Sequence, residues 1–130
     1  MIYNDPDRDG RGHGLAAALA AAGCRVEKVH VVDVYILEGD VLLPDSEITA
    51  LFSDRVAQRC LFAGPGPGNR AASLLEGWDL LVEITTRPGV ADPVAATAET
   101  ALAAGGLRGA EGAVEPIRVK TARQYLLYYP

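Results

Sequence analysis

Two segments of this chain repeat each other, and that limits the folds open to it more than any other feature. Asp9, Ala18-Leu19-Ala20-Ala21 and Gly23 recur as Asp92, Ala101-Leu102-Ala103-Ala104 and Gly106, an offset of 83 (Asp9 to Asp92). After each alanine-rich run comes a strand-like segment. There Val29, Tyr35 and Leu37 match Val119, Tyr125 and Leu127, an offset of 90 (Val29 to Val119). The extra residues fall in a Gly-rich insert over 107–116, where a longer loop costs little. A repeat of this size predicts two copies of one supersecondary unit packed about a pseudo-twofold axis. In the alignment Asp33 falls opposite Arg123, flanked by Tyr35 and Tyr125. The two tyrosine-bearing strands are therefore expected to be neighbours, with the two charges meeting at the axis.

The unit is written most clearly over 78–106. Leu80, Val82 and Ile84 alternate with Leu81, Glu83 and Thr85, the period of a strand with one buried face. Arg87-Pro88-Gly89 stops it, because proline lacks an amide donor and glycine tolerates unusual dihedrals. Asp92 is placed to cap a helix with Pro93 at its first position, and Val94, Ala98, Ala101 and Leu102 follow at helical spacing. Gly105-Gly106 ends it. In the first half the same reading gives a short strand over 1–3, a helix from Asp9 or Gly10 to Ala22 and a strand over 25–37. That strand is apolar on both faces and so is expected to be central. A helix opening at Pro44-Asp45 follows, with Ile48, Leu51, Phe52 and Val56 on one stripe, then a brief strand over 60–63. Gly64-Pro65-Gly66-Pro67-Gly68 fits no helix or strand interior. The halves are thus 1–63 and 78–130, joined by a Gly/Pro-rich linker over 64–77 into one compact domain. The expected fold is α+β, with duplicated βαβ halves in a ferredoxin-like sandwich, a mostly antiparallel sheet and helices on one face.

The chain's 130 residues suffice for one domain with a core. Hydrophobic residues make up 49% but aromatics only 6%, so the core must come from close approach of alanine-rich helices to the sheet. A net charge of −5 with no basic stripe argues against nucleic acid and anionic membranes as partners. The apolar run over 16–22 is too short to cross a bilayer. Cys24 and Cys60 form no CxxC pair and read as two buried free thiols in a reducing cytosol.

No convincing catalytic, metal or cofactor set emerges. Asp5, Asp7, Asp9 and Gly10 imitate the start of a calcium loop, but Ala16 stands where the bidentate glutamate is required. Gly12-His13-Gly14-Leu15-Ala16-Ala17 fits GxGxxA, with Asp33 at a plausible ribose distance, yet only a three-residue strand precedes it. The 64–68 loop lacks the Lys-Ser/Thr of a phosphate loop. Neither cysteine lies on the strand-to-helix turn that a glutaminase nucleophile needs.

Three stretches, in order, resemble the N-terminal, small-subunit-like domain of phosphoribosylformylglycinamidine (FGAM) synthase. They are Val29 to Asp40 (VHVVDVYILEGD), Leu80 to Pro93 (LLVEITTRPGVADP) and Lys120 to Tyr128 (KTARQYLLY). The resemblance spans nearly the whole chain. It implies a non-catalytic scaffold in the ATP- and glutamine-dependent ligase of purine biosynthesis, bridging synthetase and glutaminase domains or subunits in the cytoplasm. The small-subunit form dimerises, which leaves a homodimer open. ATP and magnesium would belong to the synthetase partner, and no family catalytic residue falls on this sequence. The Gly-Pro hinge and the 107–116 insert depart from the family pattern. The contact candidates are Asp33, Tyr35, Arg87, Pro88, Asp92, Arg123 and Tyr125. Two alternatives stay open, a regulatory domain binding a small molecule and a nucleotide-dependent enzyme using the Gly12 motif.

Overall fold

The computed structural model describes residues 2–4, 9–38, 45–53, 58–60, 77–104 and 117–130. The 64–68 loop, the 107–116 insert, Val56 and nearly all of the expected linker lie outside the described residues. The elements run β1 (Ile2–Asn4), α1 (Gly10–Ala21), β2 (Lys28–Glu38), α2 (Asp45–Phe52), β3 (Gln58–Cys60), β4 (Leu80–Thr85), α3 (Pro93–Ala104) and β5 (Arg118–Tyr128). The fold is α+β. One five-stranded sheet has the order β3-β1-β2-β5-β4, with every pairing antiparallel.

β2 and β5, eleven residues each, pair along their whole length at the centre of the sheet. Val29 faces Leu127, Asp33 faces Arg123 and Leu37 faces Val119. The residues that the repeat matches at its midpoint, Asp33 and Arg123, are therefore cross-strand partners. This is the register that an antiparallel pair related by a twofold must adopt. β1 and β4 flank the centre in equivalent positions, Ile2 opposite Asp33 and Ile84 opposite Arg123. The order differs from that of a ferredoxin-like sandwich, where a crossover helix joins parallel strands of a split βαβ unit. Here α1 and α3 each join strands that are antiparallel neighbours.

Both longer helices start from an aspartate that does two things. Asp9 Oδ1 accepts the Gly12 amide at 3.0 Å, and its Oδ2 accepts the Val31 amide of β2 at 3.1 Å. Asp92 Oδ1 accepts the Ala95 amide at 3.0 Å, and its Oδ2 accepts the Thr121 hydroxyl of β5 at 2.5 Å. Gly12 corresponds to Ala95 and Val31 to Thr121 at the offsets of the repeat. Each carboxylate satisfies an orphan amide of its helix and ties the helix start to the sheet just past the end of the flanking strand. α1 comes so close to β2 that a Cβ on Gly12 would collide with the Val29 carbonyl. Glycine at this position is what lets the helix approach.

The core has two sides. Ala95, Ala98 and Leu102 of α3 pack with Ile117, Val119, Tyr35, Leu37 and Phe52. On the opposite face of the sheet Val32 and Leu126 are buried with Val34, Leu81 and Tyr128.

Several local expectations are corrected. The face of β4 carrying Leu80, Val82 and Ile84 is exposed, not buried. The reason is position: β4 is the outer strand, and alternation marks a strand's two faces without saying which is covered. In α3 the buried line is Ala95, Ala98 and Leu102, with Val94 left exposed. Alanine on every side of this helix gives little contrast to choose its inner face. Leu51 is exposed for the same positional reason, on the open side of α2. Cys24 is exposed and Cys60 half-buried, both free, because Cys24 follows the helix stop instead of entering the core. β2 begins at Lys28, three residues later than expected, since Cys24 to Glu27 make the turn out of α1. The third strand is Gln58–Cys60.

Candidate functional site

Asp33 lies at the centre of the sheet, on the face that carries the helices. Arg123 Nε donates to its Oδ1 at 2.9 Å, and Arg11 Nη1 donates to its Oδ2 at 2.9 Å. One aspartate thus bridges two guanidinium groups and leaves one net positive charge. All three are partly exposed, which keeps the cluster in high-dielectric surroundings. The bond from Arg123 to Asp33 also raises the arginine's pKa above its ordinary value. Arg11 was not singled out in the sequence. Its signal was there: a cation in the first turn of a helix opposes the helix dipole and calls for a carboxylate partner.

Tyr35 sits two residues along the same face. Its ring meets Phe52 at 4.9 Å, and burial pushes its hydroxyl pKa up. With Phe52, Leu51, Val94, Thr97 and Ala101 it lines an open groove of about 400 Å³ between α2 and α3. Tyr125, half-buried, lies opposite Val31 and two residues along the strand from Arg123.

Asp92 joins this row through Thr121, the cross-strand partner of Tyr35. The Thr121 bond first, and the Ala95 amide second, hold its carboxyl below the usual carboxylate range. Thr86 donates a longer bond of 3.3 Å to the same oxygen. Arg87 and Pro88 stand apart on the exposed turn after β4, closed by Val90 N donating to Arg87 O at 3.0 Å and by Gly89 at φ 82. Neither shares a hydrogen bond or ion pair with the Asp33 cluster among the described residues. Of the seven contact candidates, the structure brings five onto one face and leaves these two at a corner.

A second titratable pair escaped notice in the sequence. His30 and Asp9 are both buried, with Nδ1 and Oδ2 3.6 Å apart. The ring meets Tyr128 edge-on at 5.6 Å. Burial first, then the nearby Lys28 ammonium, lowers the His30 pKa, so neutral imidazole is favoured. Both groups are shut away from solvent, so the pair acts within the fold and not on a solute.

The Gly12 motif does other work than nucleotide binding. The Gly12 amide is taken by the Asp9 carboxylate, whose charge would repel a phosphate at that helix start. Asp5 and Asp7 of the calcium-loop imitation lie outside the described residues, while Asp9 is committed to its two amides. Among the described residues there is no group of three or more His, Cys, Asp or Glu that could hold a metal ion. No helix among them is long and apolar enough to cross a membrane.

The arrangement offers a paired-strand face with a charged centre and an apolar groove beside it. Compared with protein-family models, with curated proteins and with solved structures, the chain matches none of them.

Proposed function

We propose that this chain is a non-catalytic assembly module built from two copies of one β-helix-β unit, acting as the scaffold domain of an FGAM synthase. In that role it bridges the synthetase and glutaminase parts of the enzyme. The observation that carries the reading is the twofold correspondence at the sheet centre. The matched residues Asp33 and Arg123 pair at 2.9 Å, and the matched caps Asp9 and Asp92 bind equivalent positions on β2 and β5. A doubled unit of this kind, with its three motif stretches on the two central strands and the β4 turn, suits the fused small-subunit-like domain. The Asp33, Tyr35, Arg123 and Tyr125 face and the Arg87 to Asp92 turn are the contact surfaces in this reading.

Co-purification with the synthetase and glutaminase proteins of the same source, with and without glutamine, tests it. Association is expected. Failure to associate under any condition contradicts the scaffold role.

One observation favours a second reading, a regulatory module for a small molecule. The groove beside Tyr35 has the volume of a small-ligand site and mainly apolar walls. Thermal shifts with amino acids and nucleotides separate the two. A shift that Ala101→Trp abolishes favours the regulatory module, and flat melts favour the scaffold.

A further inference from the structure

The twofold correspondence breaks at the outer edges of the sheet. β1 has its outer edge covered by β3, antiparallel, with Ile2 opposite Cys60 and Asn4 opposite Gln58. β4 is the counterpart of β1, yet no strand pairs with its outer edge among the described residues. On this open edge Leu80, Val82 and Ile84 form a stripe, 43%, 40% and 58% exposed. Proteins usually guard such edges with proline, lysine, a bulge or inward charge. β4, LLVEIT, has no proline or lysine, and its one charge, Glu83, is held by Gln124 at 2.7 Å.

We propose that β4 pairs antiparallel with β4 of a second copy of this chain, about a twofold axis at Val82. Two five-stranded sheets would join into one. In this register Val82 faces the partner's Val82 and Leu80 faces the partner's Ile84, so the apolar stripe is its own complement. Charge selects the register. An axis at Glu83 sets like charges directly opposite, which destabilises a strand pair. An axis at Val82 places Glu83 against the partner's Leu81 instead. It also brings Asp79, whose Oδ2 accepts the Tyr129 amide at 2.7 Å, and the partner's Arg87, each exposed and just beyond an end of β4, to the same end of the junction. The twofold repeats this at the other end. A six-residue edge covers less than the about 800 Å² per partner of a standard interface, so the dimer is weak and grows with concentration. The inference does not depend on the scaffold reading.

Sedimentation equilibrium on the whole chain, from micromolar to about 1 mM, tests it. The expected result is a monomer–dimer equilibrium that Val82→Lys abolishes. This side chain is already open to solvent, so unchanged circular dichroism and melting of dilute protein confirm that the variant folds. Ile84→Lys gives a second check. In a Cys24→Ser background, Val82→Cys should oxidise to a covalent dimer, because residues facing across an antiparallel pair have Cβ atoms about 4.5–5.5 Å apart. Leu81→Cys should not. A monomer at every concentration overturns the proposal and leaves the edge to a strand of another protein. A dimer that both lysine variants leave intact, or equal oxidation of the two cysteine variants, overturns it as well.

Discussion

Asp9 and Asp92 have the same geometry in different surroundings. Each takes the amide three residues ahead with one oxygen and reaches the following strand with the other. Asp9 is 1% exposed and has an imidazole beside it. Asp92 is only partly covered and reaches a hydroxyl, not an amide. Equivalent backbone positions therefore do not carry equivalent energies. The local hydrogen-bond pattern fixes where the helix starts, and burial sets what its loss costs.

The sharpest way to break the comparison is to remove each carboxylate. Asp9→Ala leaves two buried amides without acceptors, and each unsatisfied buried group costs about 1–3 kcal/mol, so a loss of roughly 2–6 kcal/mol is expected. Asp92→Ala removes a cap that water can partly replace, at about 1 kcal/mol. Urea unfolding of both variants checks the ordering, and equal losses would dissolve the distinction.

The positions three residues on extend the contrast. Gly12→Ala forces a Cβ against the Val29 carbonyl and should cost about 1–3 kcal/mol, despite alanine's better helix propensity. At the matched position Ala95→Gly should cost about 1 kcal/mol through propensity and lost packing. Thermal melts of the two reciprocal variants read this directly.

Acid should weaken the first half before the second. His30 is held below its ordinary value of 6.5, so the unfolded chain takes up a proton that the folded chain resists. Stability is then level in this group above pH 6.5 and falls as pH drops from 6.5 towards the folded value. Asp92, held below its ordinary 3.8, adds its loss only as pH falls below that value. Urea midpoints between about pH 7 and 5 should slope in the wild type and flatten in His30→Phe.

The smallest effect is expected at the axis itself. Arg123 is half exposed, and partly exposed pairs contribute about 0.2–1 kcal/mol. An alanine double-mutant cycle on Asp33 and Arg123 should give a coupling in that range. Exchanging the two charges is a poorer test, because Arg11 would then face a new arginine.

The central strand pair was legible in the sequence because a repeat offset and an antiparallel register constrain each other. Matching Asp33 to Arg123 named the one residue pair that can sit on the axis. The caps were legible through Asp92-Pro93 and the recurrence of Asp9. The exposed stripe of β4 was not, since alternation gives period and not cover. The inner face of α3 was blurred by alanine on all sides. Arg11 and the Asp9–His30 pair depend on long-range contacts, 22 residues apart for Arg11 and Asp33, that local patterning does not carry.

The pairing of β2 with β5 about Asp33 and Arg123 holds the sheet's centre. Interstrand backbone nuclear Overhauser effects measured on the isotope-labelled chain test this most directly. Contacts linking Val29 with Leu127, Asp33 with Arg123 and Leu37 with Val119 are predicted. A shifted register, or no contact between these strands, would contradict it.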